Sequence, residues 1–192
     1  MFLILSYQNE EILKKIKDFD ENSAKDILDN CLKIHCDLSG KNEKDDMRTV
    51  IYNIFNEFMQ HKASNIYLKA KYWKAYCLLE GYGIEKDKIE AQKLFKEVAD
   101  AEENKNPCKH DAELRYAFTL YNKGEKINEE LLKYLELAAE GGNATANYNL
   151  GELYYKGELV PEDKMKGRNH FAYAAQKGHP KAMEMCQTLG ID

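Results

Sequence analysis

A similar pattern of residues returns three times in the second part of the chain, and this repetition limits the possible folds more than any other feature. Three glycines, Gly81, Gly124 and Gly157, each follow a helical pattern of apolar residues and are placed to end a helix. Large residues stand at matching places after these glycines, separated by 40 and 36 residues: Phe95, Leu135 and Phe171. A period of 35–40 residues built from paired helices is typical of an α-solenoid.

The sequence predicts bounds for the repeats at 70–100, 112–142 and 146–178, followed by a capping helix over 180–189. Small residues are expected to let facing helices approach closely, and large ones, among them Tyr121 and Tyr154, to fill the space between helix pairs. The small residues are Ala75, Ala99, Ala139, Gly151 and Ala175. We also predict an extended connection between repeats one and two, over 100–111, and a shortened turn inside repeat two.

Residues 1–63 show helical spacing without the repeat. Apolar residues recur at intervals of three and four over 8–19, 23–38 and 47–59. We expect three helices that form an N-terminal cap on repeat one. Since no segment alternates as a strand does, the predicted fold is all-α, with a cap at 1–63 and repeats over 64–192.

The charge balance disfavours nucleic acid and membrane as partners. The chain has 28 Lys+Arg against 33 Asp+Glu, a net charge of −5, and no basic cluster. Its longest apolar run, Met1–Leu5, is far below the roughly 18 residues of a membrane span and does not resemble a signal peptide. The five cysteines are odd in number and irregularly spaced, which favours a reducing compartment, the cytoplasm.

Two groups of residues have side chains of the types that ligate metal ions. Cys31 and His35 share a predicted helix face beside Cys36, and Cys108 lies near His110. A closed zinc site needs four ligands, and the usual Cys-x2-Cys spacing is absent, so we expect buried cysteines and no metal.

Catalytic motifs are equally weak. No serine lies in a Gly-x-Ser-x-Gly turn. Gly81-Tyr82-Gly83 is a lone Gly-x-Gly that the repeat loop already explains. The sequence therefore predicts neither an enzyme nor a cofactor.

The third repeat carries the most complete pattern: Ala146-x3-Leu150-Gly151-x2-Tyr154-x2-Gly157, continuing through Phe171 and Ala174-Ala175-x2-Gly178. Repeat one shares Gly81-Tyr82-Gly83-Ile84, Phe95 and Ala99, and repeat two shares Gly124, Leu135 and Ala138-Ala139. Over 64–192 the chain resembles the SEL-1-like repeat family, a relative of tetratricopeptide repeats.

The resemblance implies a right-handed superhelix of antiparallel helix pairs that acts as an adaptor, binding a partner protein or peptide without catalysis. One alternative is a regulatory repeat module of a larger signalling protein such as a kinase. A less favoured alternative is a hydrolase, because some secreted relatives are linked to β-lactam hydrolysis. Those relatives carry paired cysteines in each repeat, which this chain does not. The oligomeric state is not indicated.

The predicted binding surface is the concave groove that first helices line in stacked helix pairs. Alignment on the three glycines assigns three triplets to this groove: Tyr72, Tyr76 and Leu79; Arg115, Thr119 and Asn122; and Tyr148, Glu152 and Tyr155. Tyr and Arg are good interface anchors. The alternative is that several of these side chains pack against the next repeat.

Overall fold

Every regular element that the structure describes is a helix, which confirms the all-α prediction. The computed structural model describes residues 28–31, 45–59, 65–102, 106–121, 128–157 and 160–191. Its helices are α1 (Asp45–Phe58), α2 (Asn65–Glu80), α3 (Lys88–Ala99), α4 (Lys109–Leu120), α5 (Glu129–Glu140), α6 (Ala144–Lys156), α7 (Lys164–Gln176) and α8 (Pro180–Leu189). Residues 28–31 are also helical, and the predicted helix over 8–19 lies outside the described residues. No helix in these ranges has the length and apolar character needed to span a membrane.

The chain divides into two compact units, residues 1–108 and 109–192. The first unit contains α1 and the helix pair of repeat one, α2 and α3. The second contains the pairs of repeat two (α4 and α5) and repeat three (α6 and α7), followed by α8.

The connection lengths agree with one prediction and contradict another. From the end of α3 at Ala99 to the start of α4 at Lys109 the connection is long, as predicted, whereas only residues 141–143 separate α5 from α6. The predicted short turn inside repeat two is wrong, because residues 121–128 separate its helices and residues 81–87 those of repeat one. The shortening falls on the first helix instead: α4 has 12 residues, against 16 in α2 and 13 in α6.

Polar side chains and a glycine fix the ends of the helices in repeat three. Gly157 ends α6 in the left-handed conformation, with φ 64°, and its N–H donates to the Leu153 carbonyl at 3.0 Å. Asp163 then caps α7 by accepting a 2.9 Å hydrogen bond from the Lys166 N–H. In repeats one and two, Asp87 and Asn128 cap the second helices in the same way. Gly124 lies outside the described residues.

The core of the second unit forms where second helices pack on small residues of first helices. Phe171 is fully buried, and a Cβ added at Gly151 would lie 2.6 Å from its Cδ1 atom. Leu135 and Ala139 are buried on α5, and Ala174 on α7. The close approach expected at Gly151 is therefore present.

The first unit has its own apolar cluster, which joins residues 28–31 and α1 to α2. Phe55 and Phe58 of α1 are fully buried there, beside Leu28 and Ala70. Trp73 is partly buried against the same cluster. The helix bounded by Asp45 and Phe58 thus covers an apolar side of repeat one.

Candidate partner-binding surface

Burial along the first helices shows which positions of the three repeats are equivalent. A buried alanine, Ala70, Ala112 or Ala146, is followed each time by a buried polar residue and, five residues after the alanine, by a small one. The polar residues are Lys71, Glu113 and Asn147, and the small ones are Ala75, Ala117 and Gly151. Ala112 follows Ala70 by 42 residues, and Ala146 follows Ala112 by 34. This packing pattern, rather than the loop glycines, defines the register of the repeats.

The register shifts the predicted triplet of repeat two by one residue. The positions equivalent to Tyr148, Glu152 and Tyr155 are Leu114, Phe118 and Tyr121, not Arg115, Thr119 and Asn122. Thr119 is only 5% exposed, and its hydroxyl donates to the Tyr116 carbonyl at 2.7 Å. Asn122 lies outside the described residues.

Phe118 and Tyr121 are the residues of repeat two that sequence reasoning missed. Phe118 is 42% exposed and Tyr121 is 49% exposed, so the expectation that Tyr121 fills space between helix pairs is wrong. Arg115, one turn before Phe118 and Thr119 in α4, is half-buried. The correct register of repeat two could not be predicted from the sequence, because Glu113 is buried, whereas a carboxylate is normally expected on the surface.

In repeat three the predicted triplet stands on one half-buried stripe of α6. The Tyr148 ring stacks on His179 with centroids 4.7 Å apart, and the Tyr155 ring lies 6.1 Å from that of Phe171. Glu152, between the two tyrosines, accepts a 2.8 Å hydrogen bond from Lys156. Burial, together with the negative charge of Glu152, raises the pKa of Tyr148. Tyr148 therefore remains a neutral phenol that can contact apolar groups and donate a hydrogen bond.

We call five residues of the second unit the first-helix strip: Phe118 and Tyr121 from repeat two, and Tyr148, Glu152 and Tyr155 from repeat three. The starts of α4 and α6 are held together, because the side-chain amide of Asn143 donates to Asp111 at 2.8 Å. The strip combines four aromatic rings with an acid whose charge is already paired. Such a surface favours apolar contact with a partner over recognition of charge.

In repeat one the structure separates the two predicted tyrosines. Tyr72 is only 7% exposed, and its ring packs edge-on against Phe95 at 5.6 Å, so it belongs to the packing inside the repeat. Tyr76 is half-buried, with its ring 5.5 Å from Trp73 and 6.0 Å from Tyr82. The alternative of packing therefore holds for Tyr72, whereas the place of Tyr76 in the groove stays a prediction.

A polar cluster joins α5, α6 and α7 around Tyr154. The Tyr154 hydroxyl donates to Glu136 at 2.9 Å, and the Lys166 ammonium lies 3.8 Å from the ring centroid. His170 stacks on the same ring at 6.0 Å, and its Nδ1 lies 3.0 Å from the side-chain oxygen of Asn147. Each group has its partner on a neighbouring helix, so the cluster serves to join the repeats.

The metal hypotheses gain no support among the described residues, where no three His, Cys, Asp or Glu side chains could hold an ion together. Burial raises the pKa of Cys31 to about 11 and that of Cys77 to about 12. Both thiols are buried and protonated at neutral pH. His35 and Cys36 lie outside the described residues.

The Sel1 repeat profile matches residues 68–102, 110–143 and 144–179, which together make up more than half of the chain. The chain belongs to the Sel1 repeat family. The three matches start 42 and 34 residues apart, as the buried residues of the first helices do. Their bounds also agree with the predicted repeats to within two residues.

Solved structures of Sel1-type proteins share the fold. The c5321 protein, a protective antigen of uropathogenic Escherichia coli strains with an SLR fold, matches 95% of this chain with a TM-score of 0.66 and 20% identity. A Sel1 repeat protein from Oxalobacter formigenes matches 92% with a TM-score of 0.67 and 18% identity. This chain spans 35% of the first protein and 64% of the second. The search of curated proteins finds no match.

Proposed function

We propose that this Sel1 repeat protein is a non-catalytic module whose first-helix strip binds a segment of a partner protein. Sel1 repeats generally mediate protein interactions, which supports this class of function. The observation that carries the assignment to the strip is the exposure of Phe118 and Tyr121, at positions equivalent to Glu152 and Tyr155 one repeat later.

The chemistry of the strip supports a partner that presents apolar or aromatic side chains. Phe and Tyr rings supply large contact areas and often anchor interfaces. Glu152 is neutralised by Lys156 on its own helix, so little unpaired charge on α6 is offered to a partner. Affinity for the partner should therefore change little with salt concentration, since screening weakens mainly charged contacts.

Partner capture with matched variants tests the proposal. The test variant is the double substitution Phe118→Ala and Tyr121→Ala. The control variant is Ile89→Ala and Met165→Ala, because these residues are 83% and 75% exposed near the starts of second helices. We expect the test variant to lose captured partner by about tenfold or more, as for hot-spot residues. Equal capture by the test variant and the unmodified protein would show that the strip does not bind the partner.

The regulatory-module alternative is favoured by one observation, the greater length of both solved relatives. In that alternative the same strip is part of a longer protein. The partner could then be another part of that protein, but it would bind to the strip in the same way. The hydrolase alternative gains nothing from Cys31, Cys77 and Cys186, which are unpaired thiols.

We propose the cytoplasm as the place of action. Cys31, Cys77 and Cys186 are buried thiols without disulfides, which is consistent with a reducing compartment. Cell fractionation tests this directly, and recovery of the protein from an oxidising compartment would contradict it.

A further inference from the structure

We infer that α1 is the second helix of a preceding Sel1-type repeat that has lost the sequence signature of the family, and that residues 28–31 belong to its first helix. The family match begins only at residue 68, so this pair lies outside the recognised repeats.

The buried positions of α1 repeat those of the other second helices. Ile51, Ile54, Phe55 and Phe58 are buried, and the residues 40 positions later in α3 are also buried: Ala91, Leu94, Phe95 and Val98. A further 40 positions on, the buried residues of α5 are Leu131, Tyr134, Leu135 and Ala138. Apolar spacings of three and four are common to amphipathic helices, and here the step of 40 residues from α1 to α3 also equals the step from α3 to α5.

A hydrogen bond to the next helix comes from an equivalent place. In the first unit, Asn56 of α1 accepts a 2.7 Å hydrogen bond from Lys74 of α2. In the second unit, Glu136 of α5 accepts a 2.9 Å hydrogen bond from Tyr154 of α6. Glu136 follows Asn56 by 80 residues, which is two steps of 40. In both units a second helix thus accepts a hydrogen bond from the first helix that follows it, α1 from α2 and α5 from α6.

Two further contacts attach this pair to repeat one. Asp29 forms a 2.6 Å ion pair with Lys69 of α2. The hydroxyl of Thr49 donates to the Gly83 carbonyl at 3.0 Å, and a side chain at Gly83 would overlap the Arg48 backbone. The loop glycine of repeat one therefore makes room for α1.

The structural comparisons extend over the same region. The two Sel1-type structures match 92–95% of the chain, well beyond the residues 68–179 that the family profile recognises. Loss of the signature has a simple cause in the residues. Phe58 and Met59 stand where repeats one and two have the smaller pairs Val98-Ala99 and Ala138-Ala139.

Amide hydrogen exchange of the full chain tests the inference. If α1 packs as a second helix, Phe55→Ala should accelerate exchange in α2, on which α1 packs, as strongly as Phe95→Ala does, within a factor of about three. Ile89→Ala is the control and should leave α2 unchanged, because Ile89 is 83% exposed. Faster exchange confined to residues 28–58, with α2 unaffected, would overturn the inference.

If Phe55→Ala does not fold, a milder substitution at the same position can be used for the test. Leucine already stands at the equivalent position of repeat two, Leu135, so Phe55→Leu should fold and show a smaller acceleration that again reaches α2. An effect of Phe55→Leu limited to α1 would count against the shared packing. This experiment does not involve the partner, so its failure leaves the binding proposal standing.

Discussion

The ring of Phe171 lies directly against the backbone of Gly151, where a Cβ would approach Cδ1 to 2.6 Å. Phe171 is completely buried and cannot easily move away. Exchanging glycine for alanine in a helix ordinarily gains about 1 kcal/mol, whereas overpacking a core costs about 1–3 kcal/mol. We therefore expect Gly151→Ala to lower the free energy of unfolding by about 1 kcal/mol, measured by urea denaturation.

A double variant separates this contact from a general effect of the substitution. Repeat two has the smaller pair Ala117 and Leu135 at the equivalent positions. Combining Gly151→Ala with Phe171→Leu should cost less stability than the two single effects added together. Strict additivity of the two effects would show that the glycine is not required by the ring.

Arg168 is expected to hold the end of the last helix. Its guanidinium donates to the carbonyls of Leu189 at 3.0 Å and Gly190 at 3.2 Å, which lie where α8 would otherwise leave its last carbonyls unpaired. Arg168→Gln should accelerate amide exchange throughout α8, and Arg168→Lys should only partly restore protection because an ammonium lacks the planar fork. Lys164→Gln, at a largely exposed side chain, is the control. Unchanged protection of α8 in Arg168→Gln would refute this role.

His170 should make the second unit less stable in acid. Burial, with a further contribution from the Lys166 charge, lowers the pKa of His170 below its ordinary value near 6.5. As the pH falls through 6.5 the unfolded chain takes up a proton first, so stability decreases until the lower folded pKa is reached. Urea unfolding at pH 7.5 and 5.5 should therefore show a larger loss in the unmodified protein than in His170→Gln. An equal loss in both proteins would contradict the assignment.

The repeats could be predicted from the sequence because glycine caps, small residues and large residues each have a strong local signal. The register of repeat two could not, because alignment on Gly124 counts through the residues between α4 and α5, and their number can change by one without disturbing either helix. The buried face of a helix tolerates no such shift: moving by one residue turns a side chain by about 100°. Alignment on Gly124 therefore selected Thr119, whereas burial selects Phe118.

Burial of polar side chains explains the remaining errors in the predicted site residues. Lys71, Glu113 and Asn147 read as surface residues in a sequence, but each is buried with a partner, such as Glu97 at 2.7 Å from Lys71. The predicted groove position of Tyr72 is wrong for the opposite reason, since an aromatic residue fits an exposed groove and a packed interior equally well. Neither ambiguity can be resolved without knowing which helices meet.

Site-specific photo-cross-linking in cells tests the central claim, that partners bind along the first helices, most directly. A photoreactive residue would be placed at Phe118 or Glu152 on the strip, and at Ile89 or Met165 as exposed controls on second helices. We expect covalent adducts to the same partner from positions 118 and 152 and none from positions 89 and 165. Adducts from positions 89 and 165 alone would contradict it.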